Sequence, residues 1–581
     1  MKKLMLGNEA VARGAYEAGV TVVSSYPGTP STEITEYISK YDEIYSEWAS
    51  NEKVATEVAI GASIAGARSM TAMKHVGVNV AADPLYTASY TGVNGGLVLM
   101  VADDPGMHSS QNEQDSRNHA KACKVPMLEP ADSSECKEYV KRAYEISERF
   151  DTPVMVRLTT RVAHSQSLVE LDEREAYELK EMKKDPSKYV MMPAMAIKRH
   201  VFVEERMRDL ATFAGESDLN RMEINDTKIG VIAAGITYQY VKEALPEASV
   251  LKLGMVHPIN ADLIREFASK VEKLYVVEEL DPFIEEFCRA AGIDVIGKEV
   301  FTLLGEYTPA LIRKAVLGEE IPAANVADEP VPNRPPVMCP GCPHRGTFYV
   351  LHKLGLTVCG DIGCYTLGAA APLSSIDACV CMGASIGMAH GMEKARGKEF
   401  SKKAVAVLGD STFIHSGITG LIDVVYNQGA STVIVLDNSI TGMTGHQQNP
   451  TTGYTIKNEP TSSVNLIDLA HAVGIKRVVV ADPFDLAEFE RVVKEETASG
   501  EPSLIIAQRP CALLKNVNYG APCEIDPQKC VTCKMCMKLG CPAIVYKDGK
   551  MHIDQSLCDG CELCTRVCKP GAIRKAGGSN E

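Results

Sequence analysis

Eight cysteines near the carboxyl end form two copies of one spacing pattern. The first copy is Cys530, Cys533, Cys536 and Cys541, and the second is Cys558, Cys561, Cys564 and Cys568. Three thiolates at two-residue intervals can wrap one [4Fe–4S] cubane, and the fourth, close to a proline, reaches the neighbouring cluster. We therefore assign Cys530, Cys533, Cys536 and Cys568 to cluster 1. Cluster 2 takes Cys541, Cys558, Cys561 and Cys564.

Two other uses of cysteine fit the pattern less well. Zinc sites also use C-x2-C spacing, but four cysteines per copy with a trailing proline favour cubanes. The first copy has four residues before its last cysteine where three are usual, which changes the loop and not the ligand count. Disulfides belong to exported chains, and Gly7, Asn8 and Glu9 interrupt the stretch that a signal peptide would need. The cysteines therefore indicate metal binding.

A second set of polar residues follows two apolar runs that are typical of parallel strands. Asp410 follows AVAVLG and Asn438 follows TVIVLD, with helix-compatible sequence between them. The carboxyl ends of parallel strands meet at one edge of a sheet, where such sheets bind ligands. A carboxylate, an amide oxygen and a backbone carbonyl suit Mg²⁺, with a diphosphate completing the octahedron. Upstream, the glycine-bordered segment of Gly383 and Ser385 is able to start a helix whose amides hold phosphate oxygens.

These residues resemble the thiamine-diphosphate signature, a G-D-G triplet followed at a set distance by Asn. Gly409 and Asp410 match its start, Ser411 replaces its second glycine, and Asn438 matches its end. The resemblance implies bound thiamine diphosphate, with Mg²⁺ held by Asp410, Asn438 and the carbonyl oxygen of Ile440.

Thiamine enzymes also need a carboxyl group at the aminopyrimidine ring, where it favours the tautomer that activates the thiazolium carbon. The run from Asn51 to Gly61 resembles the segment that carries this acid, which makes Glu52 the predicted catalytic residue. Glu57, about one helical turn further along, is the alternative. A solvated helix face is the simpler interpretation of Glu57.

Two further motifs resemble the family of 2-oxoacid:ferredoxin oxidoreductases. YPGTPSTEI (26–34) resembles the loop with a substrate-contacting threonine, here Thr29, and CPGCPHRG (339–346) resembles the start of the pyrophosphate-binding part. With MKHVGVNVAADP (73–84), the resemblance covers nearly the whole chain and is greatest to alpha subunits acting on indolepyruvate. It implies oxidative decarboxylation of indolepyruvate and phenylpyruvate-type acids with coenzyme A, giving aryl-acyl-CoA, CO₂ and reduced ferredoxin. It also implies a smaller beta subunit and a hetero-oligomer.

Residues 530–568 form the two-cluster module. Four cysteines outside this module stand where pyruvate-type relatives have the ligands of a third cluster. They are Cys339, Cys342, Cys364 and Cys511: a C-x2-C pair, a cysteine after a glycine and a cysteine after a proline. The resemblance predicts a third [4Fe–4S] cluster that passes electrons from the thiamine to the module. Buried free thiols are the alternative.

Substrate recognition is less defined. His75 is a candidate for a polar or protonated group near the substrate carboxylate or the thiamine, and a satisfied core histidine is an equal alternative. Relatives that act on pyruvate hold the carboxylate with an arginine, but here LVLMVADD ends in Asp103 and Asp104 where that residue is sought. The residue that binds the carboxylate stays unassigned.

The elements that must position these residues form a multidomain α/β chain. Apolar runs alternate with helical stretches, which indicates doubly wound parallel sheets. VTVVSSYP, GGLVLMVADD and DACVCMG are among the predicted strands, and residues 165–225 are interpreted as a connecting segment. By resemblance, we predict a pyrimidine-binding domain (1–185), a transketolase-C-terminal-like domain (226–320), a linker (321–337), a pyrophosphate- and Mg²⁺-binding domain (338–515) and a two-cluster ferredoxin-like domain (520–575).

Composition limits the partners. A net charge of −15 argues against nucleic acid and anionic membranes. No apolar run reaches the ~20 residues that span a bilayer, and we expect a cytoplasmic chain. Residues 524–581 carry nine basic and seven acidic residues, which suits an acidic carrier such as ferredoxin as well as an ordinary solvated surface. Two alternatives remain: a family member acting on pyruvate, 2-oxoglutarate or phenylglyoxylate, and an electron-transfer subunit without thiamine chemistry.

Overall fold

The structure is a computed structural model that describes residues 1–320, 332 and 334–577. The chain divides into two units, Met1–Asp328 and Glu329–Glu581. The predicted linker, residues 321–337, lies for the most part outside the described residues. Among the described helices, none is long and apolar enough to cross a membrane.

Alternating strands and helices occupy the first part of the amino-terminal unit. They are β1 (Lys2–Leu6), α1 (Gly7–Glu17), β2 (Val22–Ser25), α2 (Thr32–Ile38), β3 (Tyr45–Trp48), α3 (Glu52–Ile64), β4 (Ser69–Lys74), α4 (His75–Thr91), β5 (Leu97–Asp103), α5 (Ser116–Cys123), β6 (Met127–Leu128), α6 (Ser133–Phe150), β7 (Val154–Thr159), α7 (Thr160–His164) and β8 (Gln166–Glu170). Strands β6-β7-β5-β4-β2-β3 form a parallel sheet in that order, and β1 pairs antiparallel with β8. Helices cover both faces of the sheet, so strand β5 is buried along its whole length.

A second sheet follows in the same unit. Its elements are α8 (Pro186–Tyr189), α9 (Pro193–Glu216), β9 (Arg221–Glu223), β10 (Asp226–Ala234), α10 (Gly235–Ala244), β11 (Ala248–Leu253), β12 (Met255–His257), α11 (Ala261–Ala268), β13 (Lys273–Val277), α12 (Phe283–Ala290) and α13 (Pro309–Leu317). The sheet order is β13-β10-β11-β9, with only β9 antiparallel. Strand β12 instead joins the first sheet, antiparallel to β6.

The interpretation of residues 165–225 as a connecting segment is wrong in part. Helix α9 occupies Pro193–Glu216 within it, and β8 pairs with the first strand of the chain. Only Val203, Arg206, Leu210 and Ala214 of α9 are buried. Such a narrow buried stripe leaves little hydrophobic periodicity in the sequence, which is the signal that predicts a helix.

The carboxyl-terminal unit contains a five-stranded sheet. Its elements are α14 (His344–Leu354), β14 (Thr357–Cys359), α15 (Ala384–Arg396), α16 (Lys398–Ser401), β15 (Ala404–Gly409), α17 (Asp410–Thr412), α18 (Ile418–Tyr426), β16 (Thr432–Asp437), α19 (Leu466–Ala472), β17 (Arg477–Ala481), α20 (Leu486–Ala498) and β18 (Ser503–Gln508). All strands are parallel, in the order β14-β15-β16-β18-β17. The predicted strand DACVCMG is wrong: it makes one bridge, between Ala378 and Cys359, and then forms the loop before α15.

The last part of the chain is small and irregular. Strand β19 (Cys523–Ile525) pairs antiparallel with β22 (Ile573–Lys575), and β20 (Ile544–Lys547) pairs antiparallel with β21 (Lys550–Ile553). Two 3₁₀ turns, Met535–Leu539 and Leu563–Val567, carry the cysteine motifs. The core here consists of cysteines and a few aliphatic side chains. So small an apolar core is typical of domains that metal groups stabilise.

Candidate active site and iron–sulfur cysteines

Each predicted set of four module cysteines lines one cavity. Cys530, Cys533, Cys536 and Cys568 border about 330 Å³ of open space. Cys541, Cys558, Cys561 and Cys564 border about 440 Å³. The fourth cysteine of each copy therefore lies with the three cysteines of the other copy, which is the crossed arrangement that the spacing predicts.

The surroundings of these thiols fit iron–sulfur clusters. The amide of Ala572 donates to Sγ of Cys568 at 3.3 Å, and the amide of Cys523 donates to Sγ of Cys558 at 3.3 Å. Hydrogen bonds to sulfur and an apolar lining are the means by which proteins hold and tune such clusters. In the described part of the chain, no group of three or more His, Cys, Asp and Glu side chains could hold a single metal ion. Cys523 also lines the second cavity, although it stands outside the spacing pattern.

The predicted magnesium residues lie at the carboxyl ends of neighbouring strands. Asp410 follows β15, Asn438 follows β16, and these two strands pair in parallel. Asp410, Asp437 and Asn438 are all buried. Burial and then the neighbouring Asp437 raise the pKa of Asp410 to about 7. Two carboxylates buried beside an amide oxygen form a donor set that a divalent cation would satisfy.

Asn438 is oriented from two sides. Its Oδ1 accepts from the amide of Ile440 at 3.3 Å, and its Nδ2 lies 3.5 Å from Nε2 of His344. Burial lowers the pKa of His344 to about 4, so the ring is neutral and is able to accept that hydrogen bond. His344 was not predicted as a site residue, although it lies within the CPGCPHRG motif.

The segment of Gly383 and Ser385 is hydrogen-bonded to an acidic side chain. The amides of Gly383 and Ser385, which the sequence suggests for phosphate oxygens, donate to the carboxylate of Asp361 at 2.8 and 3.1 Å. Gly383 has a φ of +81°, and a Cβ there would stand 2.1 Å from Oγ of Ser416. Asp361 therefore caps the start of α15.

The thiols of the four cysteines suggested for a third cluster interact electrostatically with one another. Burial and then the thiols of Cys364 and Cys339 raise the pKa of Cys342 to about 12. Burial and then Cys511 and Cys339 raise the pKa of Cys364 to about 11. A Cβ on Gly442 would lie 3.5 Å from Sγ of Cys364 and 3.7 Å from Nδ2 of Asn438. Cys364 therefore lies near Asn438, one of the predicted magnesium residues.

Glu52 begins helix α3 in the amino-terminal unit. The side chain of Asn51 caps that helix by accepting from the amide of Val54 at 2.9 Å. Glu52 is 4% exposed, and its carboxyl group lies against Gly77, where a Cβ would be 2.8 Å from Oε1. Glu57 is exposed and forms an ion pair with Lys53, as a solvated helix face predicts. Of the two acids, only Glu52 has the burial of a catalytic group.

His75 and Thr29, the other predicted residues of this unit, both contact the loop between β5 and α5. His75 is buried, its Nε2 donates to the carbonyl of Asn112 at 3.2 Å, and burial lowers its pKa, which argues against a protonated ring. Thr29 is half-buried, and its carbonyl accepts from Oγ of Ser109 at 3.3 Å. His75 Nδ1 has no hydrogen-bond partner within the described residues.

Asp103 and Asp104, at the end of β5, have structural roles. Asp103 pairs with the buried guanidinium of Arg157 at 2.6 Å. Asp104 accepts from the amide of Ser109 at 2.9 Å and from Oγ of Ser110 at 2.6 Å. These acids fix the loop that follows the strand.

Family models match three parts of the chain. Residues 13–229 match "Pyruvate flavodoxin/ferredoxin oxidoreductase, thiamine diP-bdg", and residues 361–507 match the C-terminal TPP-binding domain of thiamine pyrophosphate enzymes. Residues 550–573 match a 4Fe-4S binding domain. With the site geometry, these matches define a thiamine-diphosphate-dependent oxidoreductase subunit that carries iron–sulfur clusters.

Curated relatives align with nearly the whole chain. Indolepyruvate oxidoreductase subunit IorA of Archaeoglobus fulgidus is 40% identical over 99% of this chain and 98% of its own length. The subunit of the same name from Pyrococcus horikoshii is 40% identical over 99% and 97%. The chain belongs to the family of indolepyruvate oxidoreductase IorA subunits. Among solved structures, a 2-oxoglutarate:ferredoxin oxidoreductase from Magnetococcus marinus is 19% identical, with a TM-score of 0.46. The match covers 55% of this chain and 65% of the Magnetococcus chain.

Proposed function

We propose that this chain, with a smaller beta subunit, oxidises aryl 2-oxoacids such as indolepyruvate with coenzyme A. The bond between the carboxylate and the 2-oxo carbon breaks and releases CO₂. The former 2-oxo carbon forms a thioester with the coenzyme A sulfur, which gives up its proton. Two electrons leave the substrate one at a time, and two ferredoxin molecules each accept one.

One observation supports this function most directly. Gly442 separates Cys364 from Asn438 by little more than the space of one methyl group, since a Cβ there would contact both. Electrons released at a thiamine site beside Asn438 would therefore be close to Cys364, one of the four cysteines assigned to a third cluster. A chain with only electron-transfer function has no need of this proximity.

We assign the cofactor residues as follows from their burial and partners. Asp410, Asn438 and the carbonyl of Ile440 bind Mg²⁺, and Ser411 and Gly409 line the same strand end, in the pyrophosphate domain of residues 338–515. Gly383 and Ser385 contact the diphosphate only if Asp361 releases their amides. Glu52, in the pyrimidine domain of residues 1–185, holds a proton at the aminopyrimidine. When bound, thiamine diphosphate supplies the carbon nucleophile for decarboxylation.

We assign three [4Fe–4S] clusters to a single route. Cys339, Cys342, Cys364 and Cys511 hold the first cluster that electrons reach. Cys342 lines the same cavity as the cysteines of cluster 2, which makes cluster 2 the next step. Cluster 1 is the exit, because Cys533 is exposed and Lys529, Lys534 and Lys569 are exposed next to three of its cysteines. A positive rim around an exposed cluster suits an acidic ferredoxin.

A substrate panel tests the function. The chain is co-expressed with its small subunit, purified without oxygen, and assayed for reduction of a viologen dye. We expect the highest kcat/KM with indolepyruvate and no product without coenzyme A. Faster turnover of pyruvate, 2-oxoglutarate or phenylglyoxylate would replace the substrate assignment. No turnover of any 2-oxoacid, with clusters that dithionite still reduces, would favour the electron-transfer subunit.

A further inference from the structure

A lysine lies where the substrate loop and the predicted catalytic acid approach each other. Lys74 is the last residue of β4, and α4 begins at the next residue. Its aliphatic chain packs on Gly28, since a Cβ there would be 3.1 Å from Cγ of Lys74. Lys74 therefore lies beside Thr29, which the family resemblance connects with the substrate.

Within the described residues, the hydrogen-bond partner of the Lys74 ammonium group is neutral. Nζ donates to the carbonyl of Ser109 at 2.9 Å. The hydroxyl of the same Ser109 donates to the carbonyl of Thr29 at 3.3 Å, so lysine, loop and threonine form one connected group. Glu52 and Asp104 act on Lys74 electrostatically and favour its charged form. The ammonium is therefore available to an anionic ligand.

Glu52 contacts the same end of α4. Its carboxyl group lies against Gly77, in the first turn of α4, and Lys74 immediately precedes that helix. Lys74 and the predicted cofactor-binding acid therefore lie at the same end of α4, and the carboxylate and the carbonyl of a 2-oxoacid are adjacent to each other. A cation that holds the carboxylate orients the carbonyl for attack.

Two buried arginines near the end of β5 already form ion pairs. Arg157 is buried and pairs with Asp103 at 2.6 Å and with Glu129 at 2.7 Å. Arg117 is buried and pairs with Glu278 at 2.6 Å. Removing either arginine from its carboxylates would leave buried charges without partners, which is costly. Neither one is suited to bind a substrate that enters and leaves.

We propose that Lys74 binds the carboxylate of the 2-oxoacid substrate, an assignment that rests on the function proposed above. The carboxylate replaces the carbonyl of Ser109 as the acceptor of the ammonium hydrogen bond. The carboxylate offers the ammonium a full opposite charge, whereas the carbonyl of Ser109 offers only a dipole. Burial lowers the pKa of Lys74 to about 8 although Asp104 and Glu52 raise it, and a bound carboxylate would favour the charged form further.

The proposal is tested with the complete complex and two ligands of nearly the same shape, one charged and one neutral. Phenylacetate carries the carboxylate and phenylacetamide does not, and both lack the 2-oxo group, so neither reacts. Their affinities are measured by calorimetry and as competitive inhibition of the dye assay. For Lys74→Met we expect about 10- to 100-fold weaker phenylacetate binding, with phenylacetamide within twofold of the wild type. KM for the 2-oxoacid rises by a similar factor.

Two further variants separate this role from a structural one. Lys74→Arg keeps the charge, and we expect it to recover most of the phenylacetate affinity. Lys53→Met removes an exposed lysine next to Glu52 and leaves both affinities unchanged. If Lys74→Met does not fold, Lys74→Gln takes its place.

Phenylacetate affinity within twofold of the wild type in the methionine variant, or equal loss for both ligands, would overturn the proposal. Absence of phenylacetate binding to the wild-type complex would overturn it as well. The proposed function fails separately, if the wild-type complex oxidises no 2-oxoacid while calorimetry still reports on Lys74.

Discussion

The carboxyl group of Glu52 lies directly against Gly77, and a single added carbon at residue 77 would stand 2.8 Å from Oε1. Helix α3 carries the acid, and the first turn of α4 forms the surface on which it rests. A glycine is needed there because a larger residue would displace the acid. The position of the predicted catalytic group thus depends on a residue that has no side chain.

Replacing Gly77 tests this dependence. Gly77→Ala should lower kcat at least about tenfold, because proton transfer by a positioned group contributes 10²–10⁴-fold and the alanine moves that group. Gly61→Ala is the matched control, since Gly61 lies in α3 and a Cβ there meets nothing within 4 Å. The control should keep its activity and gain about 0.5–1 kcal/mol of unfolding free energy. Equal kcat in the two variants would show that Gly77 does not position the acid.

The third cluster predicts a change in metal content. Three [4Fe–4S] clusters require twelve irons per chain, and Cys364→Ser should reduce that number to about eight. Cys381→Ser is the control: this thiol is exposed and belongs to none of the three sets. Iron analysis and low-temperature electron paramagnetic resonance of anaerobic protein give the result. Eight irons in the wild type would instead leave Cys339, Cys342, Cys364 and Cys511 as free thiols.

Electron exit at cluster 1 predicts a dependence on charge and salt. Reversal of Lys529, Lys534 and Lys569 to glutamate should lower the rate constant for ferredoxin reduction about tenfold at low ionic strength. The difference should shrink at high salt, because exposed charges are screened. Lys494→Glu, at an exposed side chain of α20, is the control. Viologen reduction should be unaffected in all variants, and an equal loss with the dye would point to damaged clusters.

The pKa of Lys74 predicts how substrate binding depends on pH. Burial lowers this pKa to about 8, so the ammonium is charged below that pH and neutral above it. The substrate carboxylate is ionised throughout, and KM should therefore stay constant up to about pH 8 and rise about tenfold per unit above it. Lys74→Arg should abolish the rise, since guanidinium stays protonated. A wild-type KM without any rise above pH 8 would contradict the role of Lys74.

The sequence predicts best where one spacing rule has one physical cause. The crossed cysteine sets follow from the reach of a short loop around a cubane, and both sets border the expected cavities. Asp410 and Asn438 were predictable because apolar runs mark parallel strands and their ends share an edge. In each case local spacing determines the contact.

Contacts between distant segments were not predictable in the same way. Asp361 caps α15 across 22 and 24 residues, and Arg157 is paired by acids from three separate segments. Lys74 meets Gly28 and Ser109 only because β4 brings it between two loops. Cys523 joins the second cavity through the pairing of β19 with β22. The spacing of residues within one segment does not predict contacts between distant segments.

The most direct test of the account is whether substrate alone reduces the clusters. Indolepyruvate and coenzyme A are added to the anaerobic complex without any external acceptor, and electron paramagnetic resonance is recorded after rapid freezing. The account predicts signals of reduced [4Fe–4S] clusters in the wild type, and none in Glu52→Gln or Asp410→Ala, although dithionite reduces all three. Equal signals from the two variants, or none from the wild type, would contradict it.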